Sequence, residues 1–543
     1  MPRSSAKRRF AFLCNTKVLA HILVAYRERK IHLMSQIVPT VAPTQTLTPE
    51  RVRLLLTIPT LAGSLDLTMI TAFIAQVIFD LQISTVQGAN IIVVYLIAYT
   101  LGLFIGGRLS DFLGRRSAFG IAMLCYALGS GLILAAPLLG SEYALILIGR
   151  AITGLGAGAV PAIAISTMCD LFPNPLRSIG IIGAVDVIGV LLGGLYGALV
   201  VQVLPWRSLF VFSLLMALGT LLAVFRALPN VRRTAEGFDW LGALILAGAL
   251  ISFNLGVVRL ERFAEQSEVL GEIVGYFSAA LVGSALFIVV ERLQRRAPLL
   301  ELAVFRKAGV VLCLLISALT SFSLFLMLVG LPLLANVNAV GSLGIGVLLP
   351  PLRDETLQSA ALTAGGLLLL YSGALALFTA LGARLQEQLG TPRTIMLGLG
   401  VALIGFVGLG LSVRGEIGLW VAMFSLLAGA GIGTLFSPIM AVPLAATESY
   451  GMMASFLLGV RMAAGSIVIA SVGTLSELRI RFLVRSMEAG HLPIELPPEV
   501  TFKSFVLASQ QMISELALIA AAIVLIAFLP TLGLWEIRSE ERS

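Results

Sequence analysis

The sequence predicts an all-α membrane protein with about fourteen transmembrane helices. The first observation is composition: 543 residues of which 58% are hydrophobic and 12% charged, with a mean hydropathy of +0.99. A soluble domain carries about 25% charged residues, so a surface this apolar needs lipid as its solvent. The second is the regular return of apolar runs of about 20 residues, the length that crosses a bilayer. The third is an internal repeat between the two halves of the chain.

Taken in order, the apolar runs place helices at 54–79, 89–108, 117–138, 143–168, 178–203, 208–227, 240–259, 272–291, 308–335, 361–382, 394–413, 418–440, 453–476 and 511–535. The runs at 240–259 and 272–291 stand between two groups of six. The expected organisation is a tail over 1–53, a six-helix half over 54–227 and two linker helices within 228–307. A second six-helix half follows over 308–535, with an outer extension at 477–510, and a tail closes the chain at 536–543. Residues 1–33 hold Arg3, Lys7, Arg8, Arg9, Arg27, Arg29 and Lys30 around a short apolar stretch. With no small-residue cleavage site, this reads as a cytoplasmic tail rather than a signal peptide, and Met34 is an alternative start. In the outer extension, 477–489 reads as a helical continuation carrying Arg479, Arg481 and Arg485, ended by Pro493, Pro497 and Pro498.

Basic residues set the orientation. A cytoplasmic N-terminus puts Arg108, Arg115, Arg116, Arg177, Arg232, Arg233, Arg292, Arg295, Arg296, Arg306, Lys307, Arg384 and Arg393 on the inner side. The outer loops hold Arg262, Arg353 and Arg414, diluted by acids such as Glu142, Glu261, Asp354 and Glu416. The even span count returns Arg538 and Arg542 to the cytoplasm, in the inner membrane of the cell. The net charge of +8 is scattered between apolar runs, which excludes a nucleic-acid-binding face.

Other chemistries are excluded as well. Cys14, Cys125, Cys169 and Cys313 have no metal-type spacing, and His21, His32 and His491 lie outside the spans. No phosphate-binding loop of the GxxxxGK[ST] type occurs. Neither a metal nor a cofactor is expected, and no His/Asp cluster or triad suggests an enzyme. Gly429-x-Gly431-x-Gly433 reads as helix packing, Asn254 as a structural hydrogen bonder, and Tyr95 and Tyr99 as facing either a cavity or lipid.

The repeat is gap-free. Gly106-Gly107-Arg108-Leu109-Ser110-Asp111-Phe112-Leu113-Gly114 leaves the second span, and Gly382-Ala383-Arg384-Leu385-Gln386-Glu387-Gln388-Leu389-Gly390 leaves the tenth. Glycines let helices approach closely. Asp111 is placed to cap a neighbouring helix N-terminus or to pair with an arginine, latching one conformation. The candidate latch comprises Gly107, Arg108, Asp111, Gly114, Arg115, Arg116, Arg384 and Glu387, with Gln386-Glu387 in the second copy where the first has Ser-Asp.

Four charges fall well inside spans: Asp66, Arg150, Asp186 and Arg461. Such charges need partners or water, and an acid poised between desolvation and a nearby arginine suits a proton carrier. Static hydrogen-bonded roles for Asp66 and Arg150 are the alternative. Asp186 and Arg461 each lie about 8 residues into their helices from the cytoplasm, roughly 12 Å deep. One belongs to each half, and if they meet they form an ion pair between halves. Gly189, Gly193 and Gly197 form a close-packing ridge on the helix of Asp186.

These residues carry a family resemblance. The 106–116 stretch resembles the signature loop of the major facilitator superfamily. Leu65-Asp66-x-Thr68, Gly149-Arg150-x3-Gly154-x-Gly156-x-Gly158-x2-Pro161, Trp206-Arg207, Asp239-Trp240-x-Gly242 and Pro298-Leu299-x3-Ala303-x-Phe305-Arg306 are similar to motifs of its fourteen-span drug:proton antiporters. The fifth helix departs from the exporter pattern, with Val190 at the proline position and Val185 at the first glycine. Asp186, Leu195-Tyr196-Gly197, Arg461-Met462 and the 477–510 linker resemble the mycobacterial triacylglyceride exporters. The resemblance implies two six-helix halves with two extra central helices, and proton-coupled export of a drug-like molecule or lipid. The partners it implies are protons, membrane lipid and a hydrophobic or amphiphilic molecule, with a lipoprotein if the lipid-exporter likeness holds. A membrane receptor that transports nothing is the alternative from another class.

Overall fold

The computed structural model describes residues 49–70, 73–83, 85–172, 176–229, 237–263, 269–294, 300, 302–343, 354–413, 418–447, 449–488 and 498–540. The N-terminal tail, Cys14, the three histidines, Pro298-Leu299 and the Pro493 and Pro497 breaks lie outside these residues.

The described elements are helical throughout. The first group is α1 (Pro49–Met69), the short α2 (Ile74–Leu81), α3 (Thr85–Leu113), α4 (Arg115–Ala135), α5 (Glu142–Leu171), α6 (Leu176–Val203) and α7 (Ser208–Ala227). Two helices follow, α8 (Trp240–Phe263) and α9 (Leu270–Leu293). The last group is α10 (Ala308–Leu343), α11 (Asp354–Leu389), α12 (Thr391–Ser412), α13 (Leu419–Ala445), α14 (Tyr450–Glu488) and α15 (Pro498–Glu540). Among the described residues, thirteen spans are long and apolar enough to cross a membrane, and fourteen when α6, bent by 40° between Val190 and Leu192, counts as one. The bend falls just before the Gly193-Gly194 pair, a usual place for a sharp kink. The first span is shorter than expected: α1 ends at Met69, and Gln82 in the left-handed region (φ 51°) ends α2.

Small residues set the packing, because helices in lipid associate by close approach rather than by hydrophobic exclusion. A Cβ on Gly154 or Gly158 of α5 would meet the carbonyl oxygens of Tyr95 and Tyr99 on α3. A Cβ on Gly429 or Gly433 of α13 would meet those of Tyr371 and Leu375 on α11. The two glycine rows do the same job in the two halves, which extends the repeat beyond the latch loops. The α3–α4 and α11–α12 joints match as well, turning on Gly114 (φ 92°) and Gly390 (φ 80°).

Helices α8 and α9 pack on each other, and α8 reaches both α3 and α14. Asp239 Oδ1 accepts the backbone N–H of Gly242 at 2.9 Å and the Gln294 amide at 3.2 Å, tying the start of α8 to the end of α9. Leu281, Val282, Leu286, Val289 and Leu293 of α9 are exposed, as a lipid-facing helix requires. Trp206 is buried against Phe73 and Phe210, and its indole N–H donates to Asp80 at 2.8 Å.

Candidate functional site

Three groups of polar residues lie within this apolar frame. The first is the latch. The Asp111 carboxylate accepts the backbone N–H groups of Gly451 at 3.3 Å and Met452 at 3.1 Å, the first turn of α14. An anion there complements the partial positive charge of a helix N-terminus. Arg115 donates to Asp111 Oδ1, to Ser110 Oγ and, through Nε, to Asp170 Oδ2, each at 2.6 Å. Arg108 reaches Ser449 Oγ at 3.4 Å. A Cβ on Gly107 would overlap the Gly451 carbonyl and Ser455 Oγ. Asp111 therefore both caps a helix and pairs with an arginine, and the α3 end is clasped to the α14 start across the two halves. Arg116 stacks on Phe225 at 5.3 Å.

The second copy does not repeat this clasp. Arg384 and Glu387 are exposed, and Thr391 occupies the position that Arg115 holds in the first copy. The buried polar group is Gln386, which donates to Thr391 Oγ1 and accepts from Ser437 Oγ, both at 3.1 Å. Its contacts stay inside the C-terminal half. Gly180 of α6 still packs on Thr379 and Ala383 of α11, so the halves touch here without the aspartate clasp.

The second group is Asp66 and Arg150. Arg150 Nη1 lies 3.3 Å from Asp66 Oδ1, and neither side chain is more than 1% exposed. The guanidinium sits over the Tyr95 ring at 3.7 Å. Tyr95 and Tyr99 are fully buried, which decides between cavity and lipid in favour of the interior. Asp66 Oδ2 and Arg150 Nε and Nη2 are buried without a hydrogen-bond partner.

The third group is Asp186 and Arg461. They share one chamber between the halves, walled by Val187 and Val190 of α6, Leu324, Phe325 and Leu328 of α10, Tyr371 and Leu375 of α11, and Met462 of α14. Counting from the helix starts at Leu176 and Tyr450, both charges lie about 15 Å deep at 1.5 Å per residue, near mid-membrane. They face one chamber without a direct ion pair, and each makes its own contact. Asp186 Oδ1 accepts from Ser64 Oγ at 2.5 Å, and Arg461 lies over the Phe436 ring at 5.2 Å. The reason is the glycine ridge: Gly189, Gly193 and Gly197 seat α6 against the backbone of α1. That contact turns Asp186 toward Ser64.

Sequence reasoning missed Ser64 and Asp170 as partners, and the hydroxyls of Ser317, Thr320, Ser321 and Thr379 near Arg461. Their signal was a polar side chain in an apolar run, too common by itself to single them out. Among the described residues, Cys125, Cys169 and Cys313 are not joined in disulfides, and no acid, His or Cys cluster fit for a metal occurs.

A family model for the Major Facilitator Superfamily matches residues 56–469. A triacylglyceride transporter of Mycolicibacterium hassiacum is 28% identical over 403 residues, 70% of each chain. Multidrug resistance protein 3 of Bacillus subtilis is 23% identical over 381 residues, 69% of each chain. The puromycin resistance protein pur8 of Streptomyces alboniger is 30% identical over 368 residues, 62% of this chain and 69% of that one. In fold, the human organic anion transporter MFSD10 aligns with a TM-score of 0.50 at 16% identity, over 88% of this chain and 100% of that one. The fourteen-span helical architecture, the two glycine rows and the matched residues agree: this chain is a transporter, not an enzyme, and belongs to the Major Facilitator Superfamily.

Proposed function

We propose that the protein is a proton-coupled secondary transporter that exports a hydrophobic or amphiphilic molecule by alternating access. The observation that carries this reading is the chamber between the halves. It is apolar except for a few polar side chains, Asp186 and Arg461 foremost, and it lies near mid-membrane, where transporters of this type bind substrate. The latch closes the side on which α3 meets α14, which the positive-inside pattern assigns to the cytoplasm. Asp66 and Arg150 supply a buried acid with a spare oxygen, suited to taking a proton as the halves move.

A second reading, lipid export, is favoured by α14 and α15. They run for 39 and 43 residues, about 58 and 64 Å, far longer than a bilayer core of roughly 30 Å. Beyond the α14 span, Arg479 grips Glu515 of α15 through two bonds of 2.7 and 2.8 Å. The triacylglyceride transporters among the relatives support the same reading, and we propose a lipoprotein partner only as part of it.

The test is reconstitution in liposomes under an imposed pH gradient, with ethidium and a fluorescent triacylglyceride followed side by side in wild type and Asp66→Asn. Gradient-dependent ethidium movement that the variant lacks supports drug:proton antiport. Movement of the triacylglyceride alone selects lipid export. Gradient-independent movement of both refutes proton coupling.

A further inference from the structure

The chamber holds opposite charges that do not neutralise each other by direct contact. Asp186 is engaged by Ser64 on the N-terminal half, and Arg461 by the Phe436 face on the C-terminal half. Arg461 also borders a second cavity that lies wholly within the C-terminal half, lined by Ser317, Thr320, Ser321 and Thr379. The hydroxyls of Thr320, Ser321 and Thr379 donate to carbonyls of their own helices, so their lone pairs face the space and suit water. The guanidinium therefore stands between a hydroxyl-lined cavity and an apolar chamber, and the carboxylate stands on the chamber's N-terminal wall.

We propose that the chamber selects a zwitterionic amphiphile, its ammonium group at Asp186, its phosphate or carboxylate at Arg461, and its apolar part against Val187, Val190, Leu324, Phe325 and Leu328. This rests on reading the chamber as the transport site. A cation alone neutralises Asp186 and adds a like charge near Arg461. An anion alone does the reverse, and a neutral lipid gains from neither. Only a ligand carrying both charges in matching order places an opposite charge against both walls. The ammonium also takes the place a proton would take on Asp186. Substrate loading and protonation then exclude each other, as exchange of one for the other requires.

The experiment is binding to the full-length protein in lipid nanodiscs, with no pH gradient. Four single-chain fluorescent probes share one tail and differ in headgroup: phosphocholine, phosphate monoester, trimethylammonium and glycerol. The phosphocholine probe is expected to bind at least about tenfold more tightly than the other three. Asp186→Asn removes its advantage over the phosphate probe, and Arg461→Gln its advantage over the trimethylammonium probe. The four-probe ranking on wild type does not depend on either variant folding. Equal or tighter binding of the trimethylammonium, phosphate or glycerol probe overturns the inference. Gradient-driven ethidium flux without a phosphocholine preference overturns it while leaving the proposed function standing. A phosphocholine preference without gradient-driven flux sustains it and removes the proton coupling.

Discussion

Gly107→Ala probes the clasp at its tightest point. The added Cβ would overlap the Gly451 carbonyl and Ser455 Oγ, and the first of these is backbone that cannot rotate away. The overlap exists only while α3 and α14 are clasped, so it penalises the latch-closed state alone. The helix-propensity gain from glycine to alanine, about 1 kcal/mol, is common to both states and cancels. Overpacking costs about 1–3 kcal/mol, which moves a two-state equilibrium by about 5- to 150-fold. A latch-open fraction of about 1% would rise to about 5–60%. The assay is the distance between spin labels on Arg177→Cys and Leu389→Cys, both exposed at the latch-side ends of α6 and α11, in a protein with its native cysteines replaced. The distribution should gain a longer component. Gly219→Ala, with nothing within 4 Å of its added Cβ, should leave it unchanged. A folded Gly107→Ala protein with the wild-type distribution refutes the reasoning.

Three further outcomes follow from the same geometry. Asp66→Asn leaves Arg150 charged and buried without its counter-ion, and should cost about 3–5 kcal/mol in thermal unfolding; adding Arg150→Met should recover most of that stability without restoring gradient-driven transport. Asp111→Asn breaks the pair with Arg115 and should open the latch side in the spin-label assay, whereas Glu387→Gln, at an exposed position, should change the equilibrium by less than about 0.5 kcal/mol. Trp206→Phe keeps the packing on Phe73 and Phe210 but loses the bond to Asp80, and chemical denaturation should show a loss near about 1.5 kcal/mol.

Much of the architecture was written locally. A span is a run of apolar residues, and a run needs no partner to be read. The same holds for the latch loop, whose two copies share a spacing, and for the four intramembrane charges, each conspicuous against its neighbours. The glycines of the α6 ridge were legible as a packing face, though not which helix they met.

The sequence by itself determined that the chain lives in lipid, where its helices lie, and which charged residues sit where charge is costly. Only the tertiary structure decided which of those charges meet. Asp66 and Arg150 are 84 residues apart, and their contact depends on the relative rotation of α1 and α5. Asp186 bonds Ser64 and shares a chamber with Arg461 without pairing to it directly, because the glycine ridge fixes how α6 lies on α1. The second latch loop keeps the spacing of the first, but Thr391 in place of Arg115 leaves it without the arginine that the first clasp is built on. Hydropathy is a property of a segment, while an ion pair is a property of two surfaces brought together. A few tens of degrees of helix rotation make or break the second without altering the first.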